Sequence, residues 1–332
     1  MKNTEPYTVS ILVPVYGVEK YIDRCARSIF EQTYHDLDIV FVDDCTPDKS
    51  IEILNRVLED YPERKEQTRI LRHDHNRGLS AARNTAVAAA TGIFLTHVDS
   101  DDWLELDAVE EFVKKQMETS ADIVTGDFII WKKDGKESFV WQDMTKDEYI
   151  VSLLTNSCKS YMYGRLIKRA IYIENGISAK EGCDFQEDWQ ALPRLVYLSH
   201  SIAFTHRLLY NYDLTNENSF SADFVRMSGE RYSRIIKQSV ESFFVLKAFF
   251  SNKKRYSTVV YEYEPKFLVQ YMVNATKCAN KPLFYYLKSC FTKLDKQQKS
   301  MVNMGGRLSY VLKTNYHYWR ILYWVLDKLH KV

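Results

Sequence analysis

Apolar residues in the first hundred positions follow two alternating rhythms. Val9 to Tyr16 is a short, largely β-branched apolar run, too short for a helix and continuous enough for a strand covered on both faces. From Glu19 to Thr33 the period changes, and Ile22, Cys25, Ala26, Ile29 and Phe30 recur at the three- and four-residue spacing of an amphipathic helix. Asp38 to Asp44 repeats the strand pattern, and Pro47-Asp48 opens a helix with Ile51, Leu54, Val57 and Leu58 inward. Thr68 to His73 forms a third strand. Ser80 is expected to cap an alanine-rich helix that stops at Thr91-Gly92, Ile93 to Asp99 forms a fourth strand, and the next helix is expected from near Leu104. This order predicts a mostly parallel sheet with helices on both faces. After about Phe224 the alternation ends, and helical patterns over Arg231–Phe250 and Tyr263–Lys277 replace it.

Ligands of such sheets bind beyond the carboxyl ends of the strands, and the unusual residues fall there. Pro14-Val15-Tyr16 closes the first strand, Asp43-Asp44 the second, and Asp99-Ser100-Asp101-Asp102-Trp103 follows the fourth. Three carboxylates in four positions repel one another unless a cation sits among them, which suits a hard divalent ion with positions left for phosphate oxygens. A solvated turn capping the next helix is the alternative. No GxGxxG follows the first strand and no GxxxxGK[ST] is present, which excludes an ordinary dinucleotide fold and a P-loop.

Composition narrows the class further. The 332 residues, 45% hydrophobic and 27% charged, are enough for one large domain plus an appendage. With 45 basic against 44 acidic residues, nothing in the overall charge points to a nucleic-acid partner. Six cysteines without a CxxC pair fit free thiols in a reducing compartment. The polar start Met1-Lys2-Asn3-Thr4-Glu5-Pro6 lacks the apolar core of a signal peptide, and no segment has the ~18 continuous apolar residues of a membrane span, so a cytoplasmic location is expected.

The segments VSILVPVYGVEKYIDRCARSIFEQTYHDLDIVFVDDCTPD, HNRGLSAARNTAVAAATGIFLTHVDSDDW, GRLIKRAIYIENGISAKEGCDFQEDWQAL and YNYDLTNENSFS resemble a family 2 glycosyltransferase of the GT-A type, over about residues 8 to 222. The resemblance implies an inverting enzyme that uses a nucleotide-diphosphate sugar, with a donor-binding half at 1–110, an acceptor-binding half at 111–224 and a C-terminal helical extension at 225–332. It places Pro14, Val15 and Tyr16 around the donor base with Glu19 close by, and gives Asp44 the hydrogen bond from the base, most simply the N3–H of uracil, since a carboxylate only accepts. Arg83 falls near the nucleotide or its pyrophosphate, with a surface salt bridge as its alternative role. Asp101 would bind Mn²⁺ or Mg²⁺ directly, with Asp99 at the ribose or reaching the metal through water, and Ser100 between them in the donor pocket. Asp102 and Trp103 are implied at the acceptor side, with a helix cap and a core anchor as their alternatives. In Asp184-Phe185-Gln186-Glu187-Asp188-Trp189, Asp188 matches the catalytic base and Glu187 is the neighbouring alternative.

Two departures stand out. Arg165 occupies a position where the family commonly has lysine, and Tyr212-Asp213-Leu214-Thr215-Asn216 lacks the usual arginine, for which His206 and Arg207 are candidate substitutes. At the end of the chain, Tyr316 to Lys331 combines an aromatic stripe with basic residues. Met301 to Val332 carries five basic residues, Arg307, Lys313, Arg320, Lys328 and Lys331, against Asp327 alone. That suits either a helix lying on an anionic bilayer surface or one docked on protein, including a second subunit of a homodimer. The expected function is hexosyl or N-acetylhexosaminyl transfer from a UDP-sugar to a glycan or lipid-linked glycan in surface or capsular polysaccharide synthesis, at the inner face of the plasma membrane. A non-catalytic sugar-nucleotide-binding scaffold and a nucleotidyltransferase are the competing classes. The latter needs a basic, Gly-rich first loop that Gly17-Val18-Glu19 does not supply.

Overall fold

In a computed structural model, which describes residues 7–216, 229–302 and 316–317, the predicted alternation is present. β1 (Val9–Val15), α1 (Ile22–Phe30), β2 (Leu37–Asp43), α2 (Ser50–Glu59), β3 (Thr68–Arg72), α3 (Leu79–Ala89) and β4 (Phe94–His97) follow in order. β1 lies between β2 and β4 and is parallel to both, with β3 outside β2. Every residue of β1 and β2 is buried, as a strand covered on both faces requires, and β3 at the edge is only half-buried. The apolar stripe of α1 (Ile22, Cys25, Ala26, Ile29 and Phe30) is buried as a unit.

The sheet then continues with antiparallel and parallel additions. β5 (Trp103–Leu104), α4 (Ala108–Thr119), β6 (Ile123–Lys132), β7 (Gly135–Phe139), α5 (Lys146–Leu154), β8 (Arg165–Lys168), α6 (Arg169–Glu174), α7 (Glu187–Leu198) and β9 (Ile202–Asp213) complete it. Among the described residues the order is β3-β2-β1-β4-β8-β6-β9-β5, with β7 on β6. β8 runs antiparallel to both β4 and β6, so β6 points the same way as β4, and β9 is parallel to β6. The carboxyl ends of β1, β2, β4, β6 and β9 and the start of β8 therefore meet at one edge.

Three local expectations shift. The helix expected near Leu104 begins at Ala108, because Trp103 and Leu104 pair with Asn211 and Tyr210 as a short strand. Ser80 does not cap α3: Gly78 precedes the helix, and the Ser80 N–H is taken by the Asp184 carboxylate at 2.9 Å. The helix expected from Tyr263 begins at Lys254 and carries Pro265 inside it. A proline removes one backbone donor, so the sequence pattern breaks where the helix does not.

Gly92 sets how closely β4 lies beside β1. A Cβ there would stand 2.7 Å from both the Ser10 nitrogen and the Thr8 carbonyl, and 2.8 Å from Ser10 Oγ. Backbone cannot yield as a side-chain tip does, so Gly92→Ala is expected to destabilise the chain by about 1–3 kcal/mol, read as a lower urea midpoint. An unchanged midpoint would show that the strand pair relaxes freely.

The chain divides into two compact units, Met1–Ala222 and Asp223–Val332. In the second, the described helices Gly229–Phe250, Lys254–Lys277, Lys281–Lys293 and Lys296–Met301 bury Phe243, Phe267, Leu268, Met272 and Phe284. Phe243 stacks on Phe267 at 4.1 Å, and the buried Glu264 pairs with Lys247 at 2.5 Å. Among the described residues no helix is long and apolar enough to cross a membrane. The aromatic, basic stretch from Tyr316 to Lys331 lies outside the described residues except for Tyr316 and His317. All six cysteines are free.

Candidate active site

The edge where the strand ends meet carries the residues singled out above. Pro14 and Val15 are buried at the end of β1, and Tyr16, the next residue, is 49% exposed. Gly17 turns the chain with φ +70° and donates its N–H to Thr46 Oγ1 at 2.8 Å. Glu19 accepts from the Lys49 N–H at 3.2 Å and so belongs to the start of α2. Asp44 is buried, and its two oxygens are engaged. Oδ1 takes His73 Nδ1 at 2.6 Å and the Arg77 N–H at 2.8 Å, and Oδ2 takes the Gly78 N–H at 2.8 Å. The carboxylate implied at the donor base thus also anchors the turn that leads into α3. Gly78 is required in that turn: its φ is +90°, and a Cβ would lie 2.4 Å from an Asp184 carboxylate oxygen.

Arg83 joins the two acidic motifs. It is 8% exposed, reaches Asp99 Oδ1 with Nη2 at 2.5 Å, and makes a second ion pair from Nη1 to Glu187. Burial works against its charge, but Asp99 and Glu187 outweigh burial and hold the guanidinium firmly protonated. The surface salt bridge that stood as its alternative is therefore an interior one, and the segment after β4 is tied to the start of α7. Nearby His97 is kept neutral, its pKa pushed down to about 3 by burial and then by Arg83.

The three carboxylates after β4 have separate tasks. Asp102 is buried and spends both oxygens inside, accepting from the Tyr210 hydroxyl at 2.6 Å and from the Asp213 N–H at 2.8 Å. Burial, then Asp101 and Asp99, push its carboxyl well up. Asp99 is committed to Arg83, its N–H goes to the Tyr210 hydroxyl at 3.1 Å, and Ser100 beside it is buried. Asp101 has one oxygen held by the Asn216 amide at 2.8 Å, and burial followed by Asp99 raises its pKa to about 6. A carboxylate whose charge burial and a like charge disfavour is one that an added cation would stabilise. All the donor atoms here are oxygens, the ligand type that hard divalent ions take. Among the described residues no group of three or more His, Cys, Asp or Glu side chains could hold a metal ion.

Trp103 lies under the Arg24 guanidinium at 3.7 Å and against Trp131 at 5.3 Å. Arg24 also pairs with Asp213 at 2.6 Å and donates to the Asp101 carbonyl at 2.8 Å, so a cation from α1 stands beside the segment that lacks the family's arginine. His206 and Arg207 do not fill that place: they pair with Asp143 at 2.9 Å and Asp107 at 2.8 Å. Nothing in the local sequence pattern marked Arg24, because its role depends on contacts with residues far along the chain.

Glu187 and Asp188 open α7 just after Gln186, which has φ +61°. Burial pushes the Glu187 carboxyl up, with Asp188 and Asp99 adding and Arg83 opposing. Asp188 is half-buried, accepts the Trp189 N–H at 2.6 Å and a hydrogen bond from the Ser160 side chain, and is raised chiefly by burial. Trp189 behind it is locked, its indole N–H on the Leu153 carbonyl at 2.7 Å. The arrangement can therefore offer a raised carboxylate, which takes a proton readily at neutral pH, on the same edge as the carboxylates that follow β4.

The profile described as Glycosyl transferase family 2 matches residues 10–176. The chain is 31% identical over 219 residues to Glycosyltransferase GlyA of Streptococcus pneumoniae serotype 4, covering 61% of this chain and 30% of that protein. It is 29% identical over 179 residues to the chondroitin synthase of Pasteurella multocida, covering 52% of this chain and 17% of that protein. The chain thus spans less than a third of the length of either relative. The crystal structure of S. aureus TarS 1-349 in complex with UDP-GlcNAc superimposes with a TM-score of 0.66 at 17% identity, over 89% of this chain and 84% of that one, which shows a shared fold.

Proposed function

The chain belongs to glycosyl transferase family 2, and on that premise we propose that it is an inverting enzyme that moves a sugar from a UDP donor to a hydroxyl of a glycan or lipid-linked glycan. The observation that carries the proposal is the junction through Arg83, which holds the Asp99–Asp101 segment and the Glu187–Asp188 pair on one edge. The donor base is assigned to the strand ends at Pro14, Val15, Tyr16 and Asp44, where Tyr16 is exposed and the Asp44 N–H meets the Val15 carbonyl at 3.1 Å. UDP is favoured because TarS, which shares the fold, is complexed with UDP-GlcNAc. Asp101, with Asp99 beside it, would hold Mn²⁺ or Mg²⁺, which supplies positive charge against the diphosphate. Asp188 takes the proton from the attacking acceptor hydroxyl, and Glu187 pairs with Arg83 and keeps the base in place. Polysaccharide assembly at the inner membrane surface completes the proposal, in keeping with a relative that is a chondroitin synthase.

The test is binding and hydrolysis of a panel of UDP-, GDP- and dTDP-sugars with and without Mn²⁺, for the wild type and Asp101→Asn. Metal-dependent turnover of a UDP-sugar is expected. Asp101→Asn should weaken metal-dependent donor binding by at least tenfold, because one direct oxygen ligand loses its charge. A folded wild-type sample that binds no donor would sink the proposal in favour of a scaffold role.

A further inference from the structure

We infer that Tyr161 is the floor of an acceptor subsite for a saccharide ring, formed where the Tyr210–Tyr163–Tyr161 stack ends beside Asp188. The inference rests on the transferase function proposed above and adds the residue and the ligand class of its acceptor side.

The geometry starts from β9. Alternate residues of a strand face opposite sides, so Asn211 and Asp213 share one face and Tyr210 and Tyr212 the other. Trp131 donates its indole N–H to Asn211 at 2.8 Å and touches Trp103, which places both tryptophans with the Arg24–Asp213 pair on the first face. The second face carries the tyrosines. Tyr210 stacks on Tyr163 with centroids 4.4 Å apart and 9° between planes, and Tyr163 stacks on Tyr161 at 4.7 Å and 16°. Tyr212 flanks the pile, 5.3 Å from Tyr163 and 6.0 Å from Tyr161. Tyr210 and Tyr163 are buried, whereas Tyr161 remains half-exposed, so the pile is anchored at the Asp102 end and open at the other.

That open end is next to the proposed base. Ser160, the residue before Tyr161, hydrogen-bonds Asp188, and the Asp188 carboxylate is close enough to add to the effect of burial in raising the Tyr161 hydroxyl. Lys159 holds its ammonium over the same ring, 5.9 Å from the centroid, too far to close the face as Arg24 closes Trp103 at 3.7 Å. The backbone that carries the ring is also held: the fully buried Arg165 donates Nε to the Tyr161 carbonyl at 2.7 Å and Nη1 to Thr125 Oγ1 at 2.6 Å, and its guanidinium lies over Trp141 at 4.9 Å. A rigid aromatic face with the Asp188 carboxylate and the Ser160 hydroxyl beside it and the Lys159 ammonium above it matches a pyranose, which has one face of polarised C–H groups and a rim of hydroxyls. The C–H face meets the negative face of the ring, and the rim is left to the polar groups. Trp103, covered by Arg24, offers no comparable face toward Asp188.

The experiment is a saturation-transfer NMR titration of the full chain, with UDP and Mn²⁺ present. The probes are the methyl glycosides of glucose, galactose, mannose, N-acetylglucosamine and N-acetylgalactosamine. At least one glycoside is expected to bind the wild type, Tyr161→Phe to match it, and Tyr161→Ala to bind roughly three- to tenfold more weakly, the size of a lost ring-face contact. Tyr161→Leu, which keeps bulk and apolarity without a flat face, keeps the inference testable if the alanine variant does not fold, and it should bind like alanine. Leucine binding as well as phenylalanine would overturn the inference, as would a parallel loss of UDP affinity. So would the absence of any glycoside binding by a wild-type sample that hydrolyses a donor. Donor hydrolysis by the wild type tests the transferase proposal separately, so the two failures are distinguishable.

Discussion

Replacing Asp188 by asparagine is expected to slow sugar transfer by about 10²- to 10⁴-fold while donor binding persists, the loss typical of removing a positioned base. Asparagine keeps the shape of the side chain and an oxygen for the Trp189 N–H, now at 2.6 Å, and for the Ser160 hydroxyl, but it cannot take a proton. The pH profile separates this cause from a disturbed fold. Burial and Asp99 raise the Asp188 carboxyl, while Arg83, the Trp189 N–H and Ser160 pull it down, with a net upward shift. The base works only when ionised, so kcat/KM in the wild type should fall as pH drops through a point above the ~3.9 of a free aspartate. The residual activity of Asp188→Asn should lack that limb. The stability effect has the opposite sense. A carboxyl raised in the folded state contributes stability that is present below its unfolded pKa and is lost as pH rises through the folded one. At pH 7 the asparagine variant should therefore unfold at the same urea concentration as the wild type or a higher one. If Asp188→Asn keeps transfer within tenfold of wild type and Glu187→Gln abolishes it, the base is Glu187.

The elements that were legible in the sequence are those whose burial is written in the periodicity of neighbouring residues. β1 and β2 are continuous apolar runs because both faces are covered, and α1 shows its stripe because only one side is. The rule that ligands bind beyond the carboxyl ends of such strands singled out the strand-end residues, and the family resemblance then implied their roles. What stayed hidden were polar links between distant segments. Asp44 looked like a group waiting for a ligand, yet it already holds His73, Arg77 and Gly78, and Ser80 looked like a cap because the approach of Asp184 has no local signature. Trp103 and Leu104 read as the entry to a helix, since a two-residue strand carries too little pattern to compete with the helical stripe beyond it. Arg24 was invisible for the same reason: a basic residue on an amphipathic helix looks solvated until Asp213 and the Asp101 carbonyl are brought to it.

Arg83→Met is expected to be the most damaging single change outside the core, lowering stability by about 3–5 kcal/mol in urea unfolding at pH 7. The magnitude follows from what remains. Methionine fills much of the arginine's volume but leaves the side chains of Glu187 and Asp99, 8% and 26% exposed, without their shared counter-charge. Without Arg83 the buried Glu187 must either keep an uncompensated charge or take up a proton, as burial already favours, and both are less favourable than the same site with both charges removed, so the double variant Arg83→Met, Glu187→Gln should recover part of the loss. Arg83→Lys should fall between wild type and methionine. A lysine ammonium is a single point charge and cannot hold Asp99 and Glu187 at once as the two Nη atoms of the guanidinium do. Transfer activity should fall more steeply than stability in this series, because the same fork sets the distance between the segment of Asp101 and the helix that starts at Glu187 and carries Asp188. A loss under 1 kcal/mol for Arg83→Met, with no recovery in the double variant, would mean that the two motifs are held together by packing alone, and the junction through Arg83 could then no longer carry the functional assignment.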